Sequence, residues 1–294
     1  MAASGFKIDK LVIIGAGLIG GSFALALKRA GAVRTVTGIG RSQATLQRAL
    51  QLGVIDQTGK MDRDALAGAN LIMVATPVGQ MRDVLGALKL CLAEGTIVTD
   101  GGSTKQDVVT IARESLGSRF AQFVPGHPIA GTERSGPEAA FAELFDNRRV
   151  VLTPVAETAE RAVMLVQAAW EACRAQVTYL TPRQHDTVFA AVSHLPHLLS
   201  FALVEELAAQ ESGELLFSFA GGGFRDFTRI ASSNPEMWRD ISLANREALG
   251  AELRRYRASL DNLQQLLDAG DADALGQVFE RAQAARERWL KSKA

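Results

Sequence analysis

The pattern of apolar positions changes character near residue 182. Before it, short runs rich in β-branched residues ("KLVIIGAG", "TVTGIGR", "NLIMVATP", "TIVTDGG", "AQFVPGH", "RVVLTP", "QVTYLTP") alternate with amphipathic stretches such as "SQATLQRALQLG" and "QMRDVLGALKLCL". Strand-length runs separated by helical periodicity predict βαβ units around a parallel sheet. After it the strand signal stops, and long helical runs follow: "DTVFAAVSHLPHLLSFALVEELAAQ", "PEMWRDISLANREALGAELRRYRASLDNLQQLLDAG" and "ALGQVFERAQAARERWLKS". Only "GGGFRDF" interrupts them. The expectation is an α/β domain over residues 1–182 followed by an all-α domain over residues 183–294. The stretch 188–207 is apolar almost all round, which predicts burial on every side and suits a helical domain that also forms a dimer interface.

The first strand runs into "GAGLIGGS", with Gly15, Gly17 and Gly20 at the start of an apolar helix and Leu18 and Ile19 between them. The first glycine permits a tight turn, the second lets the backbone approach a pyrophosphate, and the third lets helix pack closely on strand. At the first βα junction this predicts a Rossmann-type dinucleotide-binding domain. A carboxylate closing the second strand would bind the ribose hydroxyls of NAD, but Gly40, Arg41 and Ser42 stand there. Arg41 and Ser42 suit a 2′-phosphate, which favours NADP with NAD as the alternative; equally, Ser42 reads as a helix cap and Arg41 as a solvated side chain. Ala75, Thr76 and Pro77 end a later strand and should line the same crevice.

Composition narrows the class of partner. Thirty-two basic residues balance thirty-two acidic ones, so no net field favours nucleic acid or a lipid surface, and a small molecule is expected. Cys91 and Cys173, the only cysteines, form neither a disulfide framework nor a metal knuckle. The opening "MAASGFKIDK" lacks the order of a signal peptide, and no apolar run approaches the roughly 20 residues of a membrane span, so a soluble cytoplasmic protein is expected.

Four further segments carry candidate chemistry. "DGGSTK" puts Ser103 where a nicotinamide should lie, although Ser103 or Thr104 would equally cap the next helix. In "GHPIAGTERSG", Pro128 keeps the backbone of His127 out of the helical region and so fixes how the ring leaves the next strand end, beside the cofactor. His194 and His197, three apart in "SHLPH", share a helix face that Pro196 kinks; with no third ligand in register, no metal site is expected. In "GGGFRDFTRIASSNPEMW", Arg225 and Arg229 fall at helical i, i+4 spacing, with Asp226 placed to orient Arg229 toward a carboxylate.

Together "GAGLIGGS", "DGGSTK", "GHPIAGTERSG", "SHLPH" and "GGGFRDFTRIASSNPEMW" resemble, in order and over nearly the whole chain, the prephenate/arogenate dehydrogenase family of tyrosine biosynthesis. The resemblance implies oxidative decarboxylation of prephenate or arogenate by an NAD(P)-dependent enzyme, and dimerisation through the helical domain. It implies that His127 hydrogen-bonds the ring hydroxyl of the substrate and takes up charge, that Ser103 contacts both, and that Arg229 binds a substrate carboxylate with Asp226 beside it. His197, Trp238 and the loop carboxylate Glu133 match positions at the side-chain end of the pocket. Because the chain begins its first strand near residue 8 and ends in helix, a single-activity form is expected, in which any inhibition by tyrosine acts through the active site. The competing readings are another nicotinamide enzyme on the same plan, such as a β-hydroxyacid dehydrogenase or imine reductase, and a dinucleotide-sensing regulator without turnover.

Overall fold

The computed structural model describes residues 5–132 and 134–292. It has two compact units, Met1–Arg246 and Glu247–Ala294.

In the first unit the expected βαβ rhythm is present: β1 (Ile8–Ile14), α1 (Leu18–Arg29), β2 (Val33–Ile39), α2 (Gln43–Gln51), β3 (Gln57–Thr58), α3 (Arg63–Leu66), β4 (Leu71–Val74), α4 (Met81–Lys89), β5 (Ile97–Asp100), α5 (Gln106–Leu116) and β6 (Phe123–Val124). These strands form one parallel sheet in the order β3-β2-β1-β4-β5-β6. Leu71–Val74 and Ile97–Asp100 are buried at every position because helices cover both faces. On one face Phe23 and Trp170 pack at 4.5 Å between ring centroids; on the other lie Leu85, Leu88 and Val108. Each such side chain contributes about 1.5–3 kcal/mol of transfer free energy. Strand order reverses between β1 and β4, which opens a crevice at the carboxyl ends of those strands.

The run "AQFVPGH" does not make one strand. It divides at Pro125, which has no N–H for a ladder, into β6 and then β7 (Gly126–Pro128). The latter opens a second sheet, pairing antiparallel with β8 (Arg149–Leu152), which pairs parallel with β9 (Gln176–Tyr179) across α6 (Glu160–Ala172). His127 therefore sits opposite Val151 on this smaller sheet, not on the edge of the parallel one.

Helices follow: α7 (Pro182–Phe189), α8 (Leu195–Ala208), α9 (Gly213–Ser218), α10 (Gly222–Thr228) and α11 (Pro235–Ala244). A capping box between Thr181 and Gln184 starts α7. Between α7 and α8 the backbone widens into a π turn at Ala190–His194, which absorbs the N–H missing at Pro196. The helix thus reads through its proline as one span, Pro182–Ala208, whose most apolar 18-residue window has a mean hydropathy of 1.6, enough by length and composition to cross a membrane, contrary to the sequence expectation. The expected burial on every side is also not met within one chain: in α8 only Leu195 and Ser200 are buried, and Val188 and Val192 are 44% and 67% exposed. The long run from Pro235 breaks at Asn245, after which the second unit carries α12 (Arg246–Ala269) and α13 (Ala272–Lys291).

Candidate active site

At the turn after β1, each glycine has a distinct physical role. Gly15 has φ +100°, which a side chain disfavours; a Cβ on Gly20 would lie 2.6 Å from Ile13 Cγ2 and closer still to the Gly15 carbonyl; beside Gly17 there is open space. The first turn of α1 has no side-chain cap and no acidic residue, so its amides and the positive end of the helix dipole face the crevice uncompensated. There a cavity of about 590 Å³ is lined by Gly15, Gly17, Arg41, Ser42, Thr76 and Pro77. Thr76 Oγ1 is buried there without a hydrogen-bond partner. An open glycine, free helix amides and an orphaned hydroxyl fit a bound pyrophosphate. Ser42 does cap α2, accepting from Thr45 N at 3.2 Å, so Arg41 carries the positive charge on this wall together with Lys60, which the sequence did not single out.

A second cavity, of about 520 Å³, brings Ser103, His127, His197, Arg229 and Trp238 together. A recess of about 310 Å³ shares walls with both cavities through Leu18, Ile19, Ala75 and Ser103. Ser103 does not cap α5: the carboxylate of Asp186 accepts from Lys105 N at 2.8 Å and Gln106 N at 2.9 Å instead. The Ser103 hydroxyl is left on the cavity wall. His197 stacks on Trp238 with centroids 3.6 Å apart and donates Nδ1–H to the Ser193 carbonyl at 2.9 Å, which leaves its Nε2 as an acceptor.

A fully buried ion pair links the two reactive segments. Lys105 Nζ donates to Asp100 Oδ2 at 2.5 Å and to the Gly126 carbonyl at 2.7 Å, while Asp100 accepts from Gly102 N and Gly126 N. The turn carrying Ser103 is thereby tied to the strand carrying His127. Behind His127, its Nδ1 lies 2.8 Å from His185 Nε2, and His185 Nδ1 lies 2.8 Å from Asp186 Oδ1. Burial holds His127 well below the usual imidazole range, and His185, Lys105 and His194 add to the effect. Burial likewise lowers His185, against the opposing Asp186 bond, and pushes His194 down to about 4. For Asp186 burial acts upward, but hydrogen bonds from His185 and the amides of Gln106 and Lys105 outweigh it and keep the carboxyl below its ordinary value. The site therefore has neutral imidazoles facing a cationic Arg229, with an ionised carboxylate behind them.

Residues 23–179 match the family described as prephenate dehydrogenase, nucleotide-binding domain, and residues 181–281 match prephenate dehydrogenase, dimerization domain. The prephenate dehydrogenase of Bacillus subtilis is 37% identical over 95% of this chain and 76% of its own. The chain belongs to the prephenate dehydrogenase family. The cyclohexadienyl dehydrogenase of Zymomonas mobilis is 36% identical over 94% of each chain. Among solved structures, prephenate dehydrogenase from A. aeolicus in complex with hydroxyphenyl propionate and NAD+ superposes with a TM-score of 0.91, at 36% identity over 97% of this chain and 99% of that one.

Against this family background, one expected site residue, Asp226, does not line the pocket. Asp226 is exposed and is not among the residues that line the cavity with Arg229. The cause is local: α10 ends at Thr228, and Arg229 begins a 3-10 turn, so the spacing assumed from an uninterrupted α-helix does not hold. Glu133 lies outside the described residues. The sequence reading missed Lys105, His185 and Asp186 as parts of this site. The adjacent pair in "RQHDTV", polar residues at the foot of an apolar helix, was the available signal. His194 shares a face with His197, as expected, since both rings meet Trp238, His194 edge-on at 6.0 Å; its Nδ1 also lies 3.1 Å from the amide Nδ2 of Asn245, which donates to the Asp186 carbonyl.

Proposed function

We propose that the chain catalyses oxidative decarboxylation of prephenate to 4-hydroxyphenylpyruvate, of arogenate to tyrosine, or of both, as an NAD(P)-dependent cytoplasmic enzyme of tyrosine biosynthesis. The observation that carries this reading is the convergence of Ser103, His127, His197 and Arg229 on one cavity that shares walls with the dinucleotide crevice. A ring hydroxyl bonded to His127 and Ser103 gives up its proton to the imidazole as carbonyl character develops at that carbon. His127 serves because it stays neutral; an imidazolium has no lone pair to offer. Arg229 pairs with a substrate carboxylate, and His197 on Trp238 lines the side-chain end of the pocket. Asp226 acts at most through the backbone next to Arg229, and Glu133 remains the loop carboxylate proposed to gate the pocket. The bound nicotinamide supplies the acceptor for the hydride. Release of CO₂ and aromatisation of the ring supply much of the driving force, so the protein mainly positions and polarises.

For the cofactor, Gly15, Gly17, Leu18, Ile19 and Gly20 are the proposed pyrophosphate turn, with Ala75, Thr76, Pro77 and Ser103 along the nicotinamide side. Arg41 and Lys60 on the wall where a ribose carboxylate partner is missing support NADP over NAD. The A. aeolicus relative carries NAD+, and NAD use is retained as the alternative. Residues 1–182 would then bind the dinucleotide, and residues 183–294 would serve the substrate and a homodimer; the exposed apolar Val188, Val192 and Leu243 support a partner chain there. His127→Asn should cut kcat by about 10²- to 10⁴-fold with a modest change in KM. Near-wild-type kcat would remove His127 from the mechanism.

A further inference from the structure

Hydrogen-bond direction can be assigned through the polar chain behind the pocket without seeing a proton. Asp186 already accepts two backbone N–H groups and is held ionised, so at 2.8 Å it can only accept from His185, whose Nδ1 must carry the hydrogen. A neutral His185 then presents a bare Nε2. The 2.8 Å approach of His127 Nδ1 to that atom is a hydrogen bond only if His127 also carries its proton on Nδ1. What remains on the pocket side is His127 Nε2 with its lone pair.

From this we infer that His185 and Asp186 are positioning residues that set the tautomer of His127 and stabilise the charge it acquires. The inference rests on the proposed role of His127 as the group that takes the substrate proton. In that step the O–H bond breaks, an Nε2–H bond forms on His127, and the O–H electron pair becomes the new carbonyl π bond. The hydride leaves to the dinucleotide that the proposed reaction already requires. The resulting imidazolium is half-buried at the cavity wall, a state that is costly unless paired. Asp186 reaches it through His185 and supplies that pairing. Two further contacts keep the chain in line: Phe189 lies edge-on to His127 at 4.9 Å and tilted against His185 at 4.5 Å, and His127 is pinned by its strand pairing to Val151. The other charged or titratable groups acting on the two rings are Lys105, Asp100 and His194; Asp186 is the carboxylate bonded to the chain.

The substitution Asp186→Asn removes the charge and leaves one amide oxygen where His185 Nδ1, Lys105 N and Gln106 N each need an acceptor. His185 then loses the anion that fixes its proton on Nδ1 and that stabilises the imidazolium of His127. The expected loss in kcat is on the order of 10²- to 10⁴-fold, with KM little changed. His185→Gln keeps an acceptor for His127 Nδ1–H but disconnects the carboxylate, and should lose on the order of 10- to 100-fold.

The test is nitrogen NMR of the full-length enzyme labelled at its four histidines, assigned by single substitutions and read with steady-state kinetics on the same samples. Nδ1 protonation of both His127 and His185 in the unsubstituted protein, with a loss of kcat beyond tenfold in Asp186→Asn, is the expected result. An Nε2-protonated His127 in the unsubstituted protein overturns the inference, as does Asp186→Asn with kcat within tenfold of wild type. Should Asp186→Asn not fold, because Asp186 also caps α5, the wild-type tautomers and His185→Gln decide. The NMR reading needs no turnover: the inferred tautomers without activity on any cyclohexadienyl acid would count against the proposed function alone, and activity with the opposite tautomers against the positioning chain alone.

Discussion

Replacing Lys105 by Met removes one half of an ion pair whose side chains are both 0% exposed. The Asp100 carboxylate keeps its bonds from Gly102 N and Gly126 N but loses the Lys105 cation, and the Gly126 carbonyl loses a donor. Leaving a buried charge unpaired costs about 3–5 kcal/mol. In a unit of this size, at about 2–4 °C per kcal/mol, the melting temperature should fall by roughly 6–20 °C. Asp100→Asn combined with Lys105→Met should recover most of that loss, because the uncompensated charge is gone. Activity has its own signature. Lys105 lowers the pKa of His127, so its removal raises that pKa and moves the acid limb of kcat/KM to higher pH. Thermal denaturation of the single and double variants, with pH profiles of those that stay folded, measures both effects. A single variant as stable as wild type, or a double variant no better than the single, would show that Asp100 does not need Lys105 as its counter-charge.

Gly20→Ala should destabilise by about 1–3 kcal/mol and weaken dinucleotide binding, read by calorimetry, because the new Cβ meets the Gly15 carbonyl and Ile13. Arg229→Ala should raise KM by roughly 10- to 100-fold, equivalent to losing a charged hydrogen bond of about 1.5–3 kcal/mol; an unchanged KM would end its assignment to a substrate carboxylate. Arg41→Ala should weaken NADP binding while leaving NAD nearly untouched, and equal losses for both would show that Arg41 does not read the 2′-phosphate.

The parallel sheet was legible because its strands are continuous apolar runs closed by glycine turns, a local signal. His127, Ser103 and Arg229 were legible as chemistry because each stands in a short, unusual motif. What stayed hidden depends on distant segments meeting. Lys105 reads as an ordinary lysine until Asp100, five residues earlier, and Gly126 enclose it. His185 reads as the start of a helix until α7 lays it against β7, 58 residues earlier in the chain. Asp226 misled for the opposite reason: helical spacing was extended through "FRDFTRI", but the α-helix ends at Thr228 and a 3-10 turn begins at Arg229. The apolar face of α8 was read correctly as apolar, yet one chain does not cover it.

Whether the pocket around His127 oxidatively decarboxylates a cyclohexadienyl acid is decided by supplying the purified enzyme with prephenate and with arogenate, each with NAD and with NADP, and following the absorbance of the reduced cofactor. Turnover is expected in at least one pairing, better with NADP, and is lost in His127→Asn. Silence in all four pairings, from folded protein that binds a dinucleotide, would contradict that expectation.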